Sequence, residues 1–520
     1  MRRRTVIALL IGALLSALAP GLIGGSSQAT QSAAPAAFGV QPIAWGRCVD
    51  ADLRSAGAKC GMLVVPLDHA RPSGPTIRLA VSRVRHTASP YRGVMLTNPG
   101  GPGGPGLWMA TLGSRVPGSV GASYDWIGLD PRGVGESLPR LTCNPRYAGW
   151  DRPRYVPTTA AIARAWKKRA AGYADSCASS RAARLLPFMR STDLVADFEI
   201  LRQALGVEQV GFYGASYGTY LAQVYATLHP DRLSRVVMDG VIDPRFDWYE
   251  SNLRQAPAFE KVVKKLFAWT ARRNRTYHLG RTQAAVYRSY RRLLARVAAS
   301  PGAGKVGPAE VTDAVLPAGY AVYFWPIVAQ GLSRAWNQRD YDLLADLYGG
   351  PHDDNLISVY LAVQCTDSPW PSSWTRWRRD NTALYAKAPY LTWANAWLNM
   401  SCRTWSQPAG TPVTIDGSGL TVPVLLVSET YDAATPFSGA LAARREFPTS
   451  ALVEGVGGTT HAAALSGVPC VDDAVRDYLA DGRLPTRRSG DESDLRCRAV
   501  RFGRSATPVA WSYPRLPVMR

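Results

Sequence analysis

The stretch VEQVGFYGASYGTYLAQVYATL, residues 207–228, decides the predicted fold. Its first part is β-prone, and residues 217–227 place apolar side chains at helical spacing. Between them lies Gly214-Ala215-Ser216-Tyr217-Gly218, a G-x-S-x-G motif whose serine occupies a tight turn between strand and helix. Such a turn needs glycines because larger side chains would collide with neighbouring backbone. The motif predicts that Ser216 is a nucleophile at a helix N-terminus, and the alternative is a glycine-rich turn that merely contains serine.

Strand and helix patterns alternate on both sides of this motif. Residues 192–205 carry apolar side chains on one helical face and lead into the strand before Ser216. Strands that alternate with helices indicate a mostly parallel sheet and an α/β fold. The other predicted strands are residues 62–65, 76–84, 93–98, 123–129, 235–238, 422–427 and 451–453.

A run of only glycine and proline, residues 99–106, follows the strand predicted at 93–98. It could be a flexible linker, but glycine-rich backbone also exposes N–H groups, which an oxyanion hole requires. With Ser216 downstream, we favour an oxyanion hole formed by the N–H groups of Tyr217 and Gly101.

The pattern changes in the middle of the chain. Residues 246–412 contain ten tryptophans, helical periods and few strand signals. The chain leaves the sheet near Pro244 and rejoins it near Val422, so we interpret residues 246–412 as an inserted, mainly helical lid. The core then comprises residues 30–245 and 413–520.

A nucleophilic serine needs a histidine base, and the histidine needs a carboxylate that orients it. In the fold that carries this motif, the acid and then the histidine follow the serine. His461 follows a late strand in a glycine-rich loop, and Asp432 follows a strand 29 residues earlier. We predict these two as the base and the acid. The alternatives are His229, His278 and His352 for the base, and Asp239, Asp243 and Glu429 for the acid.

The N-terminal segment predicts export. Residues 1–29 combine a basic start, an apolar run and small residues before a cleavage site, which is typical of a signal peptide. A membrane anchor is the alternative, but Pro20 and Gly21 interrupt the short apolar run, so we expect no stable membrane insertion. We predict a secreted, extracellular protein.

All eight cysteines follow that segment. An even number in an exported chain, without a C-x-x-C pair, favours disulfides over a metal site. Although 105 connectivities are possible, the cysteines fall into four successive couples. Neighbour pairing therefore predicts the bridges Cys48–Cys60, Cys143–Cys177, Cys365–Cys402 and Cys470–Cys497.

The formal net charge is +21, of which Arg2, Arg3 and Arg4 belong to the export signal. This surplus is compatible with loose association with an anionic cell surface. Residues 261–300 hold eleven Lys or Arg and no Asp or Glu. Their apolar residues recur at helical spacing, which places the arginines on a solvated face. With no recognisable nucleic-acid-binding motif, we expect no nucleic-acid partner.

Several motifs in order resemble the secreted tripeptidyl aminopeptidases of actinobacteria, and related prolyl aminopeptidases share much of the pattern. The motifs are Cys60-Gly61 with Val64-Val65-Pro66-Leu67-Asp68, Asn98-Pro99-Gly100-Gly101-Pro102-Gly103, Asp130-Pro131-Arg132-Gly133, Gly214-Ala215-Ser216-Tyr217-Gly218-Thr219, Asp239-Gly240-Val241, Asp432-Ala433-Ala434-Thr435-Pro436, and the closing segment from Cys470-Val471 to Gly482-Arg483-Leu484-Pro485. The resemblance implies an α/β-hydrolase fold with a lid and peptide cleavage near a free N-terminus, without cofactor or metal. One departure is that Thr460 and Ala462 flank His461, where many relatives have glycine.

Three classes of function remain: a serine exopeptidase, which we favour, a secreted esterase or lipase with the same triad, and an inactive hydrolase-like binding protein. An exopeptidase must compensate the charge of the substrate's α-ammonium, because an unpaired charge is costly to desolvate. We therefore expect a carboxylate near the ends of the lid, with Glu250 and Asp367 as the candidates.

Overall fold

A computed structural model describes residues 38–150, 152–350 and 354–501, so the predicted export signal lies outside the described residues. In these ranges ten strands form one sheet in the order β1-β2-β3-β5-β4-β6-β7-β8-β9-β10. The strands are β1 (Gly46–Arg47), β2 (Lys59–Pro66), β3 (Thr76–Val84), β4 (Gly93–Asn98), β5 (Tyr124–Leu129), β6 (Val210–Ala215), β7 (Leu233–Asp239), β8 (Val424–Glu429), β9 (Ser450–Val456) and β10 (Leu495–Arg498). Strands β1 to β3 pair antiparallel at one edge, and β4 to β10 run parallel. The predicted, mostly parallel sheet is confirmed.

The register of the central strands brings their carboxyl ends to one edge of the sheet. Asn98 of β4 pairs with Gly214 of β6, and Ala215 pairs with Asp239 of β7. Asp239 in turn pairs with Val427 of β8. The loops that follow β4, β6, β7 and β8 therefore begin side by side, which is where open α/β sheets place their sites.

Helices cover both faces of the sheet, and a long helical segment interrupts it. The α-helices are α1 (Ala51–Ser55), α2 (Ala160–Ala178), α3 (Ser191–Ala204), α4 (Tyr217–Leu228), α5 (Trp248–Ala271), α6 (Asn274–Tyr277), α7 (Gln283–Ala299), α8 (Pro308–Val315), α9 (Pro317–Tyr320), α10 (Trp325–Gln338), α11 (Asp342–Tyr348), α12 (Asn355–Asp367), α13 (Trp374–Tyr385), α14 (Thr392–Asn399), α15 (Phe437–Glu446) and α16 (Pro469–Asp481). The 3₁₀ segments are Leu107–Arg115, Pro117–Ser123, Ala183–Phe188, Pro230–Arg232, Val322–Phe324 and Met400–Thr404. One core joins α3, α4 and α15 to the sheet, and another joins α16 and the first 3₁₀ segments to its opposite face.

Helices α5 to α14 lie between β7 and β8 in the chain, and we call them the insertion. Much of the insertion packs around its own core, which includes Phe259, Leu266 and Val328. A separate cluster holds most of the stacked tryptophans, with ring centroids of Trp374 and Trp397 5.4 Å apart. Trp166 of α2 stacks on Trp397 at 5.9 Å, so a helix that precedes the nucleophile strand also packs against the insertion. These tryptophans form a core and not an exposed stacking surface.

Four disulfides join the cysteines in successive couples. Two of them tie neighbouring elements at the ends of the sheet, namely Cys48–Cys60 beside β1 and β2 and Cys470–Cys497 between α16 and β10. Cys143–Cys177 attaches the loop after β5 to α2. Cys365–Cys402 links α12 to the 3₁₀ segment after α14, inside the helical part. Within the described ranges, no helix is both long and apolar enough to cross a membrane.

Candidate active site

Ser216 stands at the sharp turn between β6 and α4. Its φ of 56° and ψ of −125° lie in a region that non-glycine residues rarely occupy, which is the strain expected at a nucleophile turn. The motif's glycines are required sterically, because a Cβ on Gly214 would collide with the carbonyl of Gly218, and one on Gly218 with the carbonyl of Asn98. Ser216 remains partly exposed among buried neighbours.

The glycine- and proline-rich loop packs against this turn. Gly100 has a φ of +93°, and a Cβ there would lie 2.8 Å from both Ser216 Cβ and Tyr217 N. Asn98 fixes the loop, since its Oδ1 accepts a hydrogen bond of 2.9 Å from Gly100 N. The next residue, Gly101, is exposed, and its N–H donates to no group in the described ranges. Two backbone donors, at Gly101 and Tyr217, therefore border the nucleophile turn, as an oxyanion hole requires.

Asp130 anchors the far end of the same loop. Its Oδ1 accepts hydrogen bonds from Gly106 N at 2.6 Å and Leu107 N at 3.2 Å. Its Oδ2 accepts one from Glu136 N at 2.9 Å. Burial raises the pKa of Asp130 to about 6. The sequence predicts that Asp130 and Arg132 bridge to organise a loop beside the site. Arg132 instead pairs with Asp197, and Asp130 binds the backbone of the glycine-rich loop.

His461 and Asp432 form a buried pair. His461 Nδ1 lies 2.8 and 3.0 Å from the two carboxylate oxygens of Asp432. Backbone N–H groups of Ala434 and Thr435 also donate to Asp432 Oδ1, at 3.0 and 2.9 Å. The Thr435 hydroxyl donates to Asp432 Oδ2 at 2.9 Å and lies 3.2 Å from His461 Nδ1. Such bonds hold the carboxylate in place and leave Nε2 as the nitrogen available for proton transfer.

The other candidate acids have different partners. Asp239 accepts hydrogen bonds from Tyr213 Oη at 3.0 Å and Ala464 N at 3.1 Å. Burial raises its pKa to about 7. Glu429 accepts from the N–H of Thr460 and from Val500 N, the latter at 2.8 Å, and burial raises its pKa to about 8. Both acids thus hold the backbone around His461.

Asp243 pairs with Arg245 at 2.6 Å. His229 and His278 directly follow the last residues of α4 and α6. His352 lies outside the described residues. Of the candidate acids and histidines that the structure describes, His461 and Asp432 are the two whose side chains meet.

The nucleophile turn and the histidine meet at the end of β7. Ser216 N donates to the carbonyl of Asp239 at 2.9 Å. The next residue, Gly240, has a φ of +71°, and a Cβ there would lie 2.9 Å from His461 Cε1. The turn that carries Ser216 and the imidazole of His461 therefore contact consecutive residues of one strand end.

The insertion contacts the histidine loop directly. His461 N donates to the carbonyl of Tyr320, at the end of α9, at 2.7 Å. The two rings also meet edge to face, with centroids 5.7 Å apart. On the acid's side, Gln255 Nε2 of α5 donates to the carbonyl of Ala434 at 2.7 Å. The insertion therefore touches both loops that carry the His–Asp pair.

The two acids predicted to bind the substrate amine are already engaged. Glu250, with a side chain 43% exposed, forms an ion pair of 3.0 Å with Arg254 one turn along α5. Asp367 is buried and accepts hydrogen bonds from Ser191 N and Ser191 Oγ, each at 2.6 Å, and from Trp248 Nε1 at 3.1 Å. Burial raises the pKa of Asp367 to about 6. Since Ser191 Oγ lies 2.7 Å from Tyr217 Oη, Asp367 supports the residue after the nucleophile.

Comparison with known proteins agrees with this geometry. A family model described as the α/β hydrolase fold matches residues 93–468. A tripeptidyl aminopeptidase of Streptomyces lividans is 39% identical over 445 residues, which cover 82% of this chain and 82% of that protein. The serine protease Hip1 of Mycobacterium tuberculosis H37Rv is 29% identical over 479 residues, which cover 86% of this chain and 90% of that protein. A carboxylesterase B of the same organism is 29% identical over 528 residues, which cover 95% of this chain and 99% of that protein. The chain is thus a serine hydrolase of the α/β-hydrolase fold and belongs to the tripeptidyl aminopeptidase family.

Proposed function

We propose that this protein is a secreted serine exopeptidase that releases short peptides, expected to be tripeptides, from the free N-terminus of a peptide or protein. The observation that carries the proposal is the buried His461–Asp432 pair beside the strained turn of Ser216. The 39% identity with a tripeptidyl aminopeptidase supports the choice of a peptide substrate.

In the first half-reaction, Ser216 Oγ attacks the scissile carbonyl carbon while His461 Nε2 accepts the hydroxyl proton. The carbonyl oxygen becomes negative and is stabilised by the N–H groups of Tyr217 and Gly101. The C–N bond then breaks, and His461 returns its proton to the leaving amine. Asp432 keeps Nδ1 protonated and stabilises the imidazolium that forms in between.

In the second half-reaction, water replaces the departed amine and attacks the acyl-enzyme ester. His461 accepts a proton from the water and transfers it to Ser216 Oγ as the ester bond breaks. The released peptide carries the new carboxylate, and the free serine is restored. This sequence needs no cofactor or metal.

The insertion suits an exopeptidase because it restricts the approach to Ser216. It contacts the acid loop through Gln255 and the histidine loop through Tyr320. Its helix α12 also packs on the glycine-rich loop, since a Cβ on Gly103 would lie 3.0 Å from the carbonyl of Leu356. We therefore interpret residues 246–412 as the lid that limits substrates to chain ends.

The first prediction concerns the nucleophile. Replacing Ser216 by alanine removes the attacking oxygen, so turnover of a free tripeptidyl nitroanilide should fall by roughly 10⁶-fold. The measurement is kcat, together with labelling by a fluorophosphonate and mass spectrometry of the products from one unblocked peptide. Ser114→Ala, an exposed serine on a 3₁₀ segment, is the control and should keep wild-type activity. Substantial turnover by Ser216→Ala would refute the assignment.

A secreted esterase is the second candidate, because one of the similar proteins is named carboxylesterase B. The same triad hydrolyses esters, so the substrate decides between the two functions. We expect free tripeptidyl nitroanilides to be cleaved with a higher kcat/KM than acyl nitrophenyl esters. The reverse order would favour the esterase.

Export is part of the proposal. The four disulfides are compatible with an oxidising compartment, where such bonds persist. The predicted signal peptide at residues 1–29 supplies the route. N-terminal sequencing of protein recovered from culture medium tests this, and full-length protein retained in the cytoplasm would contradict it.

A further inference from the structure

An uncharged cluster of hydrogen-bonding side chains lies between three helices of the insertion. It consists of five amides and one phenol, and we call it the amide cluster. Its members are Asn252 and Gln255 on α5, Tyr360 and Gln364 on α12, and Asn395 and Asn399 on α14. Asn399 and Gln364 are buried, whereas Asn252, Gln255 and Asn395 are only partly covered. Part of the cluster is therefore accessible to solvent.

The amide cluster borders the proposed catalytic apparatus at three points. Gln255 Nε2 donates to the carbonyl of Ala434, whose own N–H donates to Asp432. Tyr360 N would lie 3.3 Å from a Cβ on Gly103 of the glycine-rich loop. One turn before Asn252, the ring of Trp248 packs 5.9 Å from that of Tyr217. The amide cluster therefore adjoins the acid loop, the glycine-rich loop and the start of the nucleophile helix.

Three of its amide groups, those of Asn252, Asn395 and Asn399, already donate within the cluster or to nearby backbone. The Asn252 Nδ2 group donates to Trp248 O at 2.7 Å and Gln364 Oε1 at 3.1 Å. The Asn399 Nδ2 group donates to Asn395 O at 3.0 Å and Asn252 Oδ1 at 3.1 Å. The Asn395 Nδ2 group donates to Asn252 O at 3.0 Å and Gln255 Oε1 at 3.4 Å.

The oxygen of Asn399 is different. Asn399 is 1% exposed, and its Oδ1 is buried and accepts no hydrogen bond from the residues that the structure describes. An amide oxygen can accept two hydrogen bonds, and leaving one buried and unpartnered is costly. A ligand that brings donors would remove that cost.

An α-ammonium group is such a ligand, since it has three donors and no acceptor. The carboxylates first expected to bind it, Glu250 and Asp367, are already held by Arg254 and by Ser191 with Trp248. Neutral amide dipoles can compensate a cation through their oxygens, as rings of carbonyl oxygens do in cation-selective pores.

We propose that the amide cluster is the subsite for the substrate's α-ammonium group, with Asn399 Oδ1 as its principal acceptor. The inference rests on the proposed exopeptidase function and specifies how that function selects a free N-terminus. The subsite is built from amide oxygens, so it requires no buried carboxylate. The competing interpretation is a purely structural network that ties α5, α12 and α14 together.

The test replaces Asn399 by leucine, which keeps the size and removes the oxygen. The substrates are a free tripeptidyl nitroanilide and its des-amino analogue, in which hydrogen replaces the ammonium. Hydrogen bonds to charged groups correspond to roughly ten- to a hundredfold in binding, so kcat/KM for the free peptide should fall by about that factor. The des-amino analogue has no ammonium group, so the variant should cleave it with the same kcat/KM as the wild type.

Asn381→Leu is the matched control. Asn381 is also buried on a helix of the insertion, and its Nδ2 also donates to the carbonyl four residues earlier, at 2.9 Å from Trp377 O. It bonds to Trp377, a member of the separate tryptophan cluster, and to none of the amides. This variant should lose stability as Asn399→Leu does and keep the wild-type ratio of kcat/KM for free over des-amino substrate.

A second variant keeps the test decisive if Asn399→Leu does not fold. Asn399→Asp preserves the shape and places a carboxylate where the oxygen was, so the ratio of kcat/KM for free over des-amino substrate should increase. If Asn399→Leu does not fold, an unchanged ratio in Asn399→Asp refutes the subsite. In addition, KM of the wild type should rise as the pH passes the pKa of the substrate amine, about 8, because the neutral amine loses its charge and a donor.

The possible outcomes distinguish a failure of the subsite from a failure of the exopeptidase function. If the wild type prefers the free amine and both Asn399 variants keep the same preference, the subsite is wrong and the exopeptidase function stands. If the wild type cleaves free and des-amino peptides equally well, the selection of free N-termini fails and the subsite fails with it. The proposal is supported if Asn399→Leu loses the preference for the free amine and Asn399→Asp increases it.

Discussion

At His461, one imidazole nitrogen faces both the carboxylate of Asp432 and the hydroxyl of Thr435. The threonine also donates to the carboxylate, so three side chains form a closed buried triangle. In such a triangle the orientation of the ring is fixed from two directions. The Thr435 contact contributes to positioning and exchanges no proton with the substrate.

Replacing each of two candidate acids by asparagine tests which one orients the histidine. Asp432→Asn should lower kcat by roughly four orders of magnitude, because an amide favours the wrong imidazole tautomer. Asp239→Asn should lower kcat by less than about tenfold, since an asparagine oxygen can still accept from Ala464 N. Parallel measurement of kcat on one substrate checks both. If Asp239→Asn proves the more damaging, the acid assignment is wrong.

Sequence patterns indicate candidate residues that lie in a motif and give no signal for contacts between distant loops. Ser216, His461 and Asp432 follow from a motif, a chain order and the position of each residue after a strand. Gly100 was expected to contribute only through its loop, yet it packs on Ser216 Cβ. That contact joins loops more than a hundred residues apart in the chain, and a local sequence pattern cannot indicate that such distant residues meet. The contacts of Glu429 with Thr460 and of Asn399 with Asn252 were hidden for the same reason.

Among the elements, α12 connects the insertion to the nucleophile. It carries Asp367, which supports Tyr217 through Ser191, and Tyr360, which lies beside the glycine-rich loop. Its own anchor is the Cys365–Cys402 disulfide. The position of this helix should therefore affect both stability and catalysis.

Two disulfides should differ in their effect on catalysis. Replacing Cys365 and Cys402 together by serine should lower the free energy of unfolding by on the order of 2–4 kcal/mol and should also lower kcat/KM. Removing Cys48–Cys60, at the edge of the sheet beside β1 and β2, should reduce stability and leave kcat/KM near the wild-type value. Denaturant unfolding and steady-state kinetics provide the readouts. Equal effects of both changes on kcat/KM would contradict the assigned role of α12.

Sequence patterns located most elements but not all their boundaries or partners. Helix α3 begins at Ser191, one residue before the expected start, because the Asp193 carboxylate accepts from Arg190 N at 3.0 Å. Strand β10 was not predicted, since its four residues alternate too briefly to form a signal. The packing of α2 on the insertion depends on tertiary contacts between tryptophans. The helical period of a sequence does not indicate which tryptophans meet.

For the whole molecule, buried acids near His461 set a pH dependence of stability. Burial raises the pKa of Asp239 to about 7 and that of Glu429 to about 8. The unfolded chain releases these protons near pH 4. The native state thus binds more protons than the unfolded state above that pH. Their contribution to the free energy of unfolding is complete below about pH 4 and is lost as the pH rises through about 7 and 8.

The corresponding experiment uses Glu429→Gln, whose side chain does not titrate. Denaturant unfolding at several pH values between about 5 and 9 should show a decline in the free energy of unfolding for the wild type. The decline should be smaller in the variant, because one of the acids with a raised pKa no longer titrates. Superimposable pH profiles of the two proteins would show that Glu429 has no raised pKa.

The hydrogen bond from His461 N to the carbonyl of Tyr320 has a consequence for how such enzymes can be recombined. The bond uses main-chain atoms on both sides, so the residue type at position 320 can change while the contact persists. A chimaera that receives the insertion of a relative will keep its histidine in place only if the foreign segment brings a carbonyl to the same point. Modularity in this molecule is thus limited by backbone path and not by side-chain identity.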